Sequence, residues 1–209
     1  MSTYQTEEEQ VEAIKKWWKE NGTSVVAGVV IGLGAVFGWQ GWNSYQDRIG
    51  KEASVAFSQL MGTVNSADTE SASKQAELLR VEYESSSYAM LAAMAQARLK
   101  LEQGDGAAAR SQLEWTMQNS DDASLKTLAQ LNLARILLSD GDLDGAARLA
   151  DVSEGGFAAD FAELRGDIAA AGEQLDAARD AYSQAIALNA VNPQRLQMKL
   201  DDLHPAGTD

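Results

Sequence analysis

Three groupings in this 209-residue sequence have the residue types for chemistry. Residues 32–38 read GLGAVFG, like the glycine-rich turn whose backbone N–H groups cradle a pyrophosphate. Asp140, Asp142 and Asp144 alternate as the oxygen ligands of a calcium loop do. His204 supplies the single imidazole, beside Pro205 in a tail expected to fray. Each needs suitable surroundings, and each lacks them. A dinucleotide cradle requires a strand ending at Gly32, a helix opening after it, and a parallel second strand carrying an acidic residue. Residues 42–60 instead read WNSYQDRIGKEASVAFSQL, a helical pattern, and the spacing Gly32, Gly34, Gly38 is GxGxxxG rather than GxGxxG. The run DGDLDGAAR continues into alanine helix and has Asp151 where a calcium loop needs its bidentate glutamate, so the three carboxylates read as turn and N-cap residues. With no cysteine and one histidine, zinc sites and His- or Cys-dependent nucleophiles have no raw material. No paired carboxylates stand out either. The expectation is a protein without catalytic residues, metal or cofactor.

The elements behind these groupings are helices. Alanine is abundant, only Pro193 and Pro205 interrupt the chain, and 31 acidic against 17 basic residues give a net charge of −14. That charge repels phosphate backbones and argues against a nucleic-acid partner. It is also unevenly spread: Asn21 to Gln46 is 26 residues with no charge at all. A membrane-spanning helix needs about 20 mostly apolar residues, which Thr23 to Trp42 supplies, with Trp17 and Trp18 before it and Trp39, Trp42 and Tyr45 after it at headgroup level. A cleaved signal peptide fits poorly, because the stretch lacks an A-x-A site and comes after an acidic segment. Gly28 and Gly32 are four apart, as are Gly34 and Gly38, a spacing that lets another spanning helix approach closely. Glycine is also simply common in spanning helices, and both readings stand. Lys15, Lys16 and Lys19 on the amino side against Arg48 and Lys51 beyond favour an inside amino end, with the large domain outside. In a bacterium with two membranes, outside is the periplasm.

The expected organisation is therefore a cytoplasmic amphipathic segment (1–22), a transmembrane anchor (23–45) and a periplasmic repeat domain (46–209). In the first segment Val11, Ile14 and Trp18 form one helical stripe suited to lying on membrane lipid or to contacting a cytosolic regulator, and Gly22 is expected to end or bend that helix.

The large domain repeats itself. AQARLKLEQGDGAAAR (95–110), NLARILLSDGDLDGAAR (132–148) and LRGDIAAAGEQLDAAR (164–179) each read as helix, tight turn, helix. Small residues keep register: Ala97, Ala109 and Thr116 are spaced 12 and 7, as are Ala134, Ala146 and Ser153, and Gly166, Ala178 and Ala185. Small side chains are needed where two helices of a hairpin cross. The period is 37 and then 32, bracketing the ~34 of a tetratricopeptide repeat, which these units resemble. Departures are the missing tryptophan near each unit's start, a closing proline only at Pro193, and Glu173 in the third turn with Gly172 one residue early. A generic alanine-rich helical bundle is the competing reading. KEASVAFSQLMGTV and SKQAELLRVEY read as an amino-terminal capping pair, PQRLQMKLDDL as a closing helix with Pro193 in its first turn. The fold class is thus all-α: one transmembrane helix followed by a tetratricopeptide-like α-solenoid.

First helices of such hairpins line a concave groove. Matching positions are Leu91, Met94, Arg98 and Leu101, then Leu128, Leu131, Arg135 and Leu138, with Asp160, Glu163 and Asp167 in the third unit. The pattern suits an apolar floor with two arginines and an acidic end, able to hold an extended or helical protein segment. The same leucines also suit a core, and both readings remain open.

The whole chain resembles the YfgM family of ancillary SecYEG translocon subunits. The resemblance is carried by Tyr4, Gln10-Val11-Glu12-Ala13, Glu20-Asn21-Gly22, the four span glycines, Trp39, Trp42-Asn43-Ser44, Gln46, Leu164-Arg165-Gly166 and Gln197-Met198-Lys199. It implies a bacterial inner-membrane protein, amino end cytoplasmic, whose periplasmic domain works at the SecYEG translocon with the membrane-anchored chaperone PpiD. It also implies help in passing exported polypeptides to periplasmic chaperones, and a link to control of an envelope stress response. Self-association through the span glycines is a further alternative. No catalytic residues are implied.

Overall fold

The computed structural model describes residues 7–66, 68–153 and 155–203, and among these every regular element is an α-helix. His204, Pro205 and Tyr4 lie outside the described residues. The chain divides into two compact units, Met1–Ile49 and Gly50–Asp209.

The first unit is the leading part of α1 (Glu7–Asn65). Val29, Val30, Ile31, Leu33, Val36 and Phe37 are all more than half exposed, so apolar side chains spread round the helix rather than along one buried stripe, as a candidate membrane span requires. It is long and apolar enough to cross a membrane. The expected end at Gly22 is not there: α1 runs through it. A lone glycine lowers helix propensity by only ~1 kcal/mol and does not by itself end a helix. A Cβ on Gly22 would meet the Trp18 indole at 3.2 Å, so the glycine makes room for a large ring inside a continuing helix.

The second unit is built from helix hairpins. After α2 (Thr69–Glu82) come α3 (Ser87–Glu102) with α4 (Gly106–Asn119), α5 (Ala123–Ser139) with α6 (Leu143–Leu149), α7 (Ala158–Ala171) with α8 (Leu175–Ala187), and closing α9 (Pro193–Asp202). The end of α1 packs with α2 and α3 through Leu60, Ala72, Ala76, Leu79 and Ala92, a capping pair as expected. Pro193 opens α9, and Leu196 of α9 is buried with Ala178, Tyr182 and Ala185.

The repeat register is visible in the turns. After α3, α5 and α7 one residue takes left-handed backbone: Gly104 (φ 78°), Gly141 (φ 80°) and Glu173 (φ 59°). Each turn closes with the same two bonds, for example Gly141 N to Leu138 O at 3.0 Å with Asp142 N to Leu137 O at 2.9 Å, and Glu173 N to Ala170 O at 3.0 Å with Gln174 N to Ala169 O at 2.8 Å. Glu173 therefore occupies the glycine position despite its Cβ, and the sequence irregularity at Gly172 is not an irregularity of fold. Asp105 and Asp142 then cap the next helices through Ala108 N (3.0 Å) and Gly145 N (2.8 Å).

The small residues at the crossings are buried: Ala97, Ala109 and Thr116, Ala134 and Ala146, Ala178 and Ala185. At Gly166 a Cβ would overlap the Tyr182 ring, so only glycine lets α7 and α8 cross there. The exception is Ser153, which is exposed and lies beyond α6. That helix stops at Leu149, and its loose carbonyls are gathered by long side chains instead. Gln130 Nε2 donates to Leu149 O at 2.6 Å, while an Arg165 terminal nitrogen donates to Ala150 O (3.0 Å) and Val152 O (2.9 Å). Buried carbonyls need such partners where a helix ends early.

Candidate protein-binding groove

Within the second unit the α3 and α5 faces and the end of α1 enclose a concave groove of about 570 Å³, inside the ~300–1,000 Å³ range of ligand pockets. Six of the eight expected residues line it: Leu91, Met94, Arg98 and Leu101 from α3, Leu128 and Arg135 from α5. Two do not. Leu131 is 1% exposed and packs with Ala134, Phe161 and Leu164, and Leu138 lies against the same cluster. The cause is helical phase. On α3 the groove takes 91, 94, 98 and 101, whereas on α5 it takes Leu128, Asn132, Arg135 and Ser139, because α5 must turn Leu131 and Leu138 toward α7. Asn132 and Ser139, polar residues among leucines, carry the signal for the correct face.

The opposite wall comes from Phe57, Met61 and Val64 of α1. Their spacing of four and three is an amphipathic stripe in the sequence, there assigned only to a cap. Met61 and Leu101, 36% and 42% exposed, leave apolar surface open along the groove.

The acidic end expected in the third unit is absent as a free surface. Glu163 is buried, with Arg195 donating to both its oxygens (2.7 and 2.8 Å) and Lys199 Nζ donating at 2.8 Å. Lys199 also reaches Asp167 at 2.6 Å, and the Tyr182 hydroxyl donates to Asp167 at 2.7 Å. These carboxylates hold α9 onto α7. Burial pushes the Glu163 carboxyl upward, but the hydrogen bonds and charges of Lys199 and Arg195 outweigh it and leave it below the usual carboxylate range. Burial, then the bond to Asp167, pushes the Tyr182 hydroxyl up. Asp160 faces Arg135 at 3.5 Å.

Asp140 faces Arg110 at 3.7 Å and Asp142 is taken up by its cap, the turn roles read from the sequence. On α1, Gly28, Gly32, Gly34 and Gly38 would each meet nothing within 4 Å on gaining a Cβ, so their faces are open. At 3.6 residues per turn the first pair and the second point roughly a third of a turn apart. They form two faces rather than one.

The chain matches the profile of a tetratricopeptide repeat-like domain over residues 15–205. An ancillary SecYEG translocon subunit of Escherichia coli (strain K12) is 31% identical over 207 residues, spanning 97% of this chain and 99% of that protein. Proteins of the same description are similar in Haemophilus influenzae, 31% identical over 94% of this chain and 97% of the relative, and in Neisseria gonorrhoeae, 28% identical over 97% and 100%. No solved structure matches the chain significantly.

Proposed function

The chain belongs to the tetratricopeptide repeat-like family that includes the ancillary SecYEG translocon subunits, and from that membership we propose a membrane-anchored adaptor, placed beside the translocon by α1, that holds exported polypeptide segments in the α1/α3/α5 groove. It passes them to periplasmic chaperones, the membrane-anchored PpiD among them. The amino end is cytoplasmic, the repeat domain periplasmic, and the membrane is the bacterial inner one. The observation that carries this reading is an open apolar groove in a repeat unit that comes after a charge-free, lipid-suited helix. A groove of this kind gives affinity by burying a partner's apolar side chains, each worth ~1.5–3 kcal/mol when fully buried. Gly34 and Gly38, or Gly28 and Gly32, supply the close approach to a translocon or chaperone span.

The test is co-purification of the full chain from cells, wild type against Met94→Asp with Leu128→Asp. Translocon subunits should still co-purify, while exported polypeptides and chaperone are lost. Unchanged recovery of those polypeptides would remove the groove from the account.

A further inference from the structure

Resting on the adaptor reading above, we propose that the groove selects apolar polypeptide segments carrying a carboxylate, which seats between Arg98 and Arg135. The charge distribution points this way. From Ala53 onward the sequence has 24 acidic and 12 basic residues, yet among the described residues the only charged side chains lining the groove are these two arginines. They stand at equivalent positions of consecutive hairpins, 37 residues apart, so neighbouring helices present them on the same side.

Their present partners are weak competitors. Arg98 uses its Nε toward Glu102 at 3.0 Å, with both side chains more than half exposed, and Arg135 faces Asp160 at the longer distance of 3.5 Å, both partly exposed. Exposed pairs of this kind contribute little and yield readily to a better acceptor. Arg195 and Lys199 differ, because their shared carboxylate Glu163 is 9% exposed. A guanidinium fork takes a carboxylate through two parallel N–H donors, so an incoming Asp or Glu gains geometry that the internal pairs lack. A lysine in the same place would meet two positive charges. The apolar floor supplies affinity without much choice, since Met61 and Met94 are flexible thioethers that fit varied side chains. Discrimination therefore falls to charge.

The experiment uses the full chain in nanodiscs of phosphatidylcholine and one labelled peptide with leucine, methionine and phenylalanine anchors, differing only in a central Glu, Gln or Lys. Fluorescence anisotropy should rank Glu above Gln above Lys, the extremes differing on the order of tenfold and converging in high salt. Arg98→Glu with Arg135→Glu should reverse the order of the Glu and Lys peptides. Equal binding of the Glu and Lys peptides to the wild type, abolished by Met94→Asp, would overturn the charge selection and leave the groove reading standing. Absence of binding by all three, or binding unaffected by Met94→Asp, would overturn the groove reading and this proposal with it.

Discussion

Replacing Gly166 with alanine tests the helix crossing that gives the domain its repeat register. Gly166 sits inside α7, where alanine would ordinarily gain up to ~1 kcal/mol of helix propensity. Here the new Cβ would overlap the Tyr182 ring. That ring cannot swing away cheaply: it is 3% exposed, its hydroxyl donates to Asp167 at 2.7 Å, and the Lys199 ammonium lies 5.4 Å from its centroid. Overpacking of this kind costs ~1–3 kcal/mol, so after a propensity gain of ~1 kcal/mol the net change is about 0–2 kcal/mol destabilising. For a domain of this size that lowers Tm by up to about 8 °C. The assay is thermal unfolding of the full chain in nanodiscs by circular dichroism, alone and in a Tyr182→Leu background. With the ring gone, alanine should be neutral or stabilising. A stabilised Gly166→Ala in the wild-type background, or a cost undiminished by Tyr182→Leu, would refute the crossing.

The same geometry fixes other outcomes. Glu173→Gly should raise stability by roughly 1 kcal/mol, because left-handed backbone costs a residue with a Cβ about that much and glycine nothing; a denaturant midpoint measures it. Arg165→Ala should cost about 1.5–3 kcal/mol and speed amide exchange in 150–160, since the carbonyls of Ala150 and Val152 lose their charged donor, and lysine should restore little of the two-carbonyl clasp. The Glu163 carboxyl is held below its ordinary 4.5, so its stabilisation is present above about pH 4.5 and is lost as pH falls through the depressed folded value; Glu163→Gln should flatten the acid limb of a stability–pH curve. Leu131→Asp should unfold the second unit, whereas Leu128→Asp should leave it folded, because one leucine is core and the other lines the groove.

Much of this architecture is legible in the sequence for simple reasons. A charge-free run of 26 residues in an acidic chain has few soluble explanations, and small residues spaced 12 and 7 mark helix crossings. The misses have a common cause, which is that local pattern does not report tertiary partners. Ser153 fits the small-residue spacing, but α6 ends at Leu149, where Gln130 and Arg165 from other helices take the carbonyls of Leu149 and Ala150. Leu131 and Leu138 fit the phase of α3, but α5 is rotated by its contact with Phe161 and Leu164. Asp160, Glu163 and Asp167 look like a free acidic edge until Arg135, Arg195 and Lys199 meet them across helices. Gly22 has the composition of a helix stop, but a lone glycine costs only ~1 kcal/mol of helix propensity, and α1 continues through it with the Trp18 indole lying against it.

The central claim, that one molecule engages a translocon through its span and a polypeptide through its groove, is tested most directly by photocrosslinking in living cells. Probes belong at Met94 and Leu128 in the groove and at Gly34 in the span. Crosslinks are expected from Met94 and Leu128 to exported chains or a chaperone, and from Gly34 to a translocon or chaperone span. Silent groove probes, with Gly34 crosslinking only to a second copy of this chain, would contradict the claim.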